Sequence, residues 1–274
     1  MVMQAPSPSP FPATPAPRPE RPLAGFFLDL AIAIGAMLFL SMACGMVWAM
    51  FKGAQLAVRG GGVPDPAALM RLIGQPGAIA MIWMTLVSTG GAALVAYFWR
   101  RRATHAERTA SFHASRNIST WGWVLTTAAA TFLFSTAITS LSQSLGVKPE
   151  PTNLAIIEAA FFSNPVFLSL FGVLIAPAYE ELLFRRVLFG RLWAAGRPWL
   201  GVALSSAAFA LMHEIPGATG NGWQATGVLW LTYGFMGAAF ALVYWRTRTL
   251  WAPIAAHALN NAVALALVGL HGGG

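Results

Sequence analysis

Seven times in this chain an apolar run approaches the ~20 residues that a helix needs to cross a bilayer. The runs lie at about 24–50, 77–99, 120–145, 164–189, 199–220, 223–245 and 249–270. Of the 274 residues, 57% are hydrophobic and only 9% charged, which excludes an ordinary soluble domain of this size. The predicted fold is therefore all-α: a polytopic membrane helix bundle of about seven transmembrane helices.

The net charge of +8 could suggest nucleic acid as a partner. However, the basic residues lie between the apolar runs and not along one face, so no nucleic-acid binding is expected and the bilayer itself is the partner. Lys and Arg number 2, 3, 5, 1, 4, 0 and 2 in successive connections, so alternate sides total 13 (2+5+4+2) and 4 (3+1+0+0). The more basic side is the cytoplasmic one. This places the N-terminus in the cytoplasm and the C-terminus outside, in a chain integral to a membrane of bacterial plasma-membrane type.

Residues 1–23 alternate proline with small and polar residues and offer little to bury, so a disordered cytoplasmic tail is expected there. Residues 24–145 form the N-terminal transmembrane helices and residues 146–274 the functional core. Cys44 is the single cysteine and lies in an apolar run, which rules out an intramolecular disulfide. Asp29 is expected to reach back toward the interface. Trp223, Tyr244 and Trp245 read as an aromatic belt around the sixth run, and the segment after Thr152 or Asn153 reads as a short, non-spanning helix. Gly90 with Gly91, and Gly234 with Ala238, should let helices approach closely.

The polar residues inside the runs are few and ordered. Glu180, Glu181 and Arg185 interrupt the fourth run, and a charge in hydrocarbon costs roughly 2.5–3.5 kcal/mol on insertion scales, so each needs a polar partner. On a helix Glu181 and Arg185, four apart, share a face, whereas Glu180 points about 100° away. Phe209 with His213 and His257 with Asn261 repeat the same spacing on two further runs, with Asn260 an alternative to Asn261 on geometry alone. Together these side chains offer a base, hydrogen-bond donors and a counter-ion in a site shielded from bulk water.

In this order, Glu180-Glu181-x-x-x-Arg185, Phe209-x-x-x-His213 and His257-x-x-x-Asn261 resemble the motifs of the CPBP family, the CAAX-protease and bacteriocin-processing proteins that include the type II CAAX prenyl endopeptidase. The resemblance covers about residues 164–270 and implies hydrolysis of peptide bonds inside the membrane by a glutamate-activated water. The substrate would be a peptide or protein in or at the membrane. Carried over by motif position, Glu180 with His213 would hold and deprotonate the water, and His257 and Asn261 would donate to the tetrahedral oxyanion. Glu181 and Arg185 would form a local pair that orients the first glutamate.

The family has also been described as metalloproteases, and two histidines with a glutamate could hold zinc. His213-Glu214-Ile215-Pro216-Gly217 is not HExxH, and proline breaks the helix there. No cofactor is the expectation, with zinc as the alternative. The alternative outside catalysis is a non-proteolytic membrane immunity or scaffold protein of the same family.

One site requires one depth, yet His213 lies fourteen residues from Trp199, about 21 Å along a helix. The expected resolution is a fourth helix that runs on through Arg191 and a fifth that begins beneath the membrane surface, with a cavity open to the cytoplasm.

Overall fold

The computed structural model describes residues 21–58, 71–217 and 220–271; residues 1–20, most of the expected disordered tail, lie outside them. The described residues contain helices and no strand. They form α1 (Pro22–Val58), α2 (Ala78–Arg100), α4 (Ile118–Ser144), α6 (Pro165–Ala194), α8 (Trp223–Thr247) and α9 (Trp251–His271), with shorter α3 (His105–Ser115), α5 (Leu154–Ser163) and α7 (Pro198–His213). Six of these are long and apolar enough to span a membrane. The all-α polytopic bundle is borne out, and the chain is an integral membrane protein.

The fifth apolar run differs from its expected extent. Helix α7 has 16 residues and stops at His213, not near residue 220. Pro216 follows closely and Gly217 takes a left-handed φ of 75°, so the helical ladder cannot continue there. Helix α6, by contrast, runs on through Arg191 to Ala194, as the depth argument demanded.

Helix α6 is not uniform. Leu170–Ile175 and Leu182–Phe189 are π-helical turns. Pro177 accounts for the first, since it cannot donate to the carbonyl one turn earlier and the backbone widens to accommodate its ring. Such turns recur at functional sites. Here they flank Glu180 and Glu181.

The core forms where α1, α2, α6, α7, α8 and α9 converge on Phe184, Leu188, Phe209 and Phe240, all at most 2% exposed. Helices α7 and α8 pack closely because a Cβ on Gly237 would lie 2.9 Å from the Ser206 backbone. Gly91 plays the expected part against Leu40 of α1, and Gly90 sits against Tyr179. Gly234, by contrast, has nothing within 4 Å of such a Cβ, and the close contact falls at Gly237, on another part of the helix.

The charged ends are tied by ion pairs. Asp29, expected to reach back toward the interface, is instead fully buried and binds Arg100 Nε at 2.8 Å and both Nε and Nη2 of Arg191, joining α1 to α2 and α6. Arg186 makes two hydrogen bonds to Glu107, at 3.1 and 2.8 Å, and Thr104 and Glu107 form a reciprocal cap on α3. Burial would raise the Glu107 carboxyl, but the hydrogen bonds from Arg186 and Thr104 outweigh it and hold it below its usual range. Tyr244 is also inside, not in a belt: it is 6% exposed and packs on Phe189 and Trp193. Trp223, at 83% exposed, fits the belt expectation in exposure.

Candidate active site

Three helices bring the motif residues together. Glu180, Glu181 and Arg185 project from the middle of α6, His213 is the last residue of α7, and His257 and Asn261 come from the first half of α9. The break after His213 thus has a positional consequence. It ends α7 beside the glutamates, which a helix running on to residue 220 would pass.

Glu181 and Arg185 are fully buried, with Arg185 Nε 2.9 Å from Glu181 Oε2 as the i, i+4 spacing predicts. The guanidinium also lies over the rings of Phe184, Phe209 and Phe240, at 5.8, 5.0 and 5.7 Å from their centroids. A desolvated cation gains about 2 kcal/mol from such faces. Phe209, in the motif but given no role by the sequence, therefore encloses Arg185 with its ring. Its carbonyl meets His213 Nδ1 at 2.8 Å.

Glu181 reaches a second partner that the sequence did not indicate: its Oε1 lies 2.9 Å from His257 Nδ1. A carbonyl can only accept, and so can a carboxylate paired with an arginine. Both histidines therefore carry a proton on Nδ1 and turn Nε2 elsewhere. Both turn it toward Glu180, whose Oε2 is 3.6 Å from His213 Nε2 and 3.9 Å from His257 Nε2. That oxygen is buried and has no hydrogen-bond donor among the described protein groups. The side chains of Glu180 and His213 keep 19% and 21% exposure, whereas Glu181, Arg185 and His257 are closed in behind them.

Asn261 sits one turn beyond His257 and donates through Nδ2 to the Gly172 carbonyl at 2.8 Å, inside the first π turn of α6. The amide thus holds α9 to the widened backbone just ahead of Glu180. Asn260 is not part of this contact.

The aromatic face of α8 completes the surroundings. Phe240 stacks on His257 with centroids 4.8 Å apart, and Tyr233 lies over His213 at 4.7 Å. Trp230 donates to the Glu214 carbonyl at 2.8 Å and so caps the end of α7. Glu214 is itself fully buried, accepting from Thr152 and, at 3.1 Å, from Asn221. The only hint of these residues in the sequence was their repeat along one helix face at 230, 233, 237 and 240.

Zinc draws its ligand atoms to about 2.0–2.2 Å, and no group of three or more His, Cys, Asp or Glu among the described residues is gathered as a ligand set. Glu180 and the Nε2 atoms of His213 and His257 are the groups that would hold zinc were it to bind.

Residues 162–263 match the family model described as type II CAAX prenyl endopeptidase Rce1-like. The Bacillus subtilis (strain 168) protein named "Putative membrane peptidase YdiL" is 28% identical over 116 residues. That match takes in 42% of this chain and 43% of the relative, so less than half of its length is spanned. No solved structure matches. The family match and this relative bear out, over the membrane core, the resemblance to the CPBP family that the three ordered motifs carry.

Proposed function

We propose that the chain is an intramembrane endopeptidase that hydrolyses a peptide bond of a membrane-associated protein or peptide with a glutamate-activated water. The observation that carries this is Glu180 Oε2, a buried carboxylate oxygen without a protein donor, facing two imidazole Nε2 atoms at 3.6 and 3.9 Å. The neighbouring Glu181, by contrast, is tied through Oε1 to His257 Nδ1 at 2.9 Å and has Arg185 as its counter-ion. The family match and the name of the relative point to the same class of reaction.

In this mechanism Glu180 takes a proton from the water, and the hydroxide oxygen forms a bond to the substrate carbonyl carbon. The carbonyl electron pair moves to oxygen. Collapse of that intermediate breaks the C–N bond, and the proton held by Glu180 passes, directly or through His213, to the leaving nitrogen. His257 can donate to the oxyanion from Nε2 while it carries both ring protons, because its Nδ1 proton is committed to Glu181. Asn261 has one amide hydrogen beyond the bond to Gly172. Glu181 and Arg185 act as positioning residues, fixing the His257 ring and the helix around Glu180.

The deciding experiment compares peptides released from membranes of cells carrying the wild type and Glu180→Gln. Products present only with the wild type are expected. Identical peptide profiles, with any cellular protection unchanged, would favour the scaffold alternative.

A further inference from the structure

Peptide hydrolysis of the kind proposed above needs donors for the oxyanion, and the motif residues supply them under constraint. His257 spends its Nδ1 proton on Glu181, and Asn261 spends one amide hydrogen on the Gly172 carbonyl. Beside them stands Tyr233 of α8, outside all three motifs. Its ring lies over that of His213 with centroids 4.7 Å apart and planes inclined by 33°. The Glu214 carboxylate and, after it, that of Glu180 act on Tyr233 electrostatically. No described residue hydrogen-bonds to the Tyr233 hydroxyl.

We infer that Tyr233 is a further catalytic residue, whose hydroxyl donates a hydrogen bond to the substrate carbonyl oxygen as it becomes an oxyanion. The inference rests on the protease reading and deepens it. With its ring centre 4.7 Å from that of His213, Tyr233 stands beside the place of a water held by Glu180 and His213, where its hydroxyl can meet the carbonyl that the water attacks. Unlike His257, it needs no second proton to donate. Ring stacking alone would suit phenylalanine equally well, and α8 does use phenylalanine at Phe240, where the ring stacks on His257 and over Arg185.

The test uses the full-length protein in detergent or proteoliposomes. The probe is a quenched-fluorescent peptide copying the bond found cleaved only by the wild type relative to Glu180→Gln. Tyr233→Phe keeps the stacked ring and removes only the hydroxyl. It should lower kcat by about 100-fold or more, as removal of one oxyanion donor does, with KM changed by less than about twofold. Binding of the same peptide to Glu180→Gln and to Glu180→Gln/Tyr233→Phe should be equal, which a loss of folding would not allow. A Tyr233→Phe enzyme that turns over at the wild-type rate, or that loses activity through KM alone, overturns the assignment while leaving the protease reading intact. A wild type without Glu180-dependent cleavage overturns the protease reading, and the role of Tyr233 with it.

Discussion

Glu181 Oε1 lies 2.9 Å from Nδ1 of His257, a residue 76 positions further along the chain, while Glu181 Oε2 meets Arg185 Nε at 2.9 Å. The second glutamate of the pair is thus a hub that fixes a histidine on one helix and neutralises an arginine on its own. Removing its charge by Glu181→Gln would leave Arg185 buried without a counter-ion, at a cost of about 3–5 kcal/mol. Arg185→Met in the same background should restore part of that loss, because the arginine is then gone too. Unfolding in denaturant, run as a double-mutant cycle, checks this. Additive losses would mean that the pair does not interact.

Glu180, the adjacent residue, faces a different environment and should respond differently. Its Oε2 has no donor to lose, so Glu180→Gln should leave helicity and thermal stability close to wild type. Turnover should fall by at least about a hundredfold, and His213→Ala should do the same, as expected when general-base function is removed. Circular dichroism together with a cleavage assay separates the two effects. A Glu180→Gln protein that cleaves normally would show that another group is the base.

These two glutamates mark how far the sequence could be read. Spacing of i, i+4 placed Arg185 against Glu181 and aimed Glu180 elsewhere, since helical periodicity is a local property. The tie from Glu181 to His257 depends on how two distant helices are rotated against each other, and no short-range pattern encodes that. The early end of α7 had a local signal in Pro216 and Gly217, but the apolar residues on either side of His213 masked it. Asp29 and Tyr244 were assigned to the interface because single polar or aromatic residues near helix ends usually belong there. Their partners, Arg100 and Arg191 for one and Phe189 and Trp193 for the other, come from helices far away in sequence.

The Arg186 and Glu107 pair predicts a pH dependence of stability away from the catalytic centre. Glu107 is held below its usual carboxylate range in the folded state, so it binds a proton less readily folded than unfolded. Its contribution is therefore present above the unfolded value, about pH 4.3, and is lost as pH falls through the folded value. Glu107→Gln should be less stable than wild type at neutral pH, and the gap should close in strong acid. Melting curves of both proteins from pH 7 down to about 3 measure it. A gap that stays constant with pH would remove Glu107 from the account.

Topology can be tested without a substrate. If all seven apolar runs cross, 13 basic residues fall on one side of the membrane and 4 on the other, so a reporter fused after Gly274 should be extracytoplasmic and one inserted near Thr104 cytoplasmic. The count treats α7 as a crossing, although at 16 residues, about 24 Å, it is short for one. Both reporters on the same side would show that α7 does not pass from one face to the other.

Metal dependence separates two mechanisms that would use the same side chains. Both histidines are fixed through Nδ1, by the Phe209 carbonyl and by Glu181, and both turn Nε2 to Glu180. Fixing one ring nitrogen through an acceptor is also how zinc-binding histidines are held, so the orientation of the rings alone does not distinguish the cases. Nor does the separation: ligand atoms about 2.0–2.2 Å from a tetrahedral zinc stand about 3.3–3.6 Å apart, close to the 3.6 and 3.9 Å between Glu180 Oε2 and the two Nε2 atoms, so the two cases are told apart by experiment. Glutamate chemistry without metal predicts that strong chelators leave the purified enzyme active and that elemental analysis finds no stoichiometric zinc. A zinc enzyme would lose activity on stripping and regain it when zinc is returned. Reversible loss with chelator, together with one zinc per chain, would overturn the metal-free mechanism and recast Glu180 as a ligand or as the base beside a bound water.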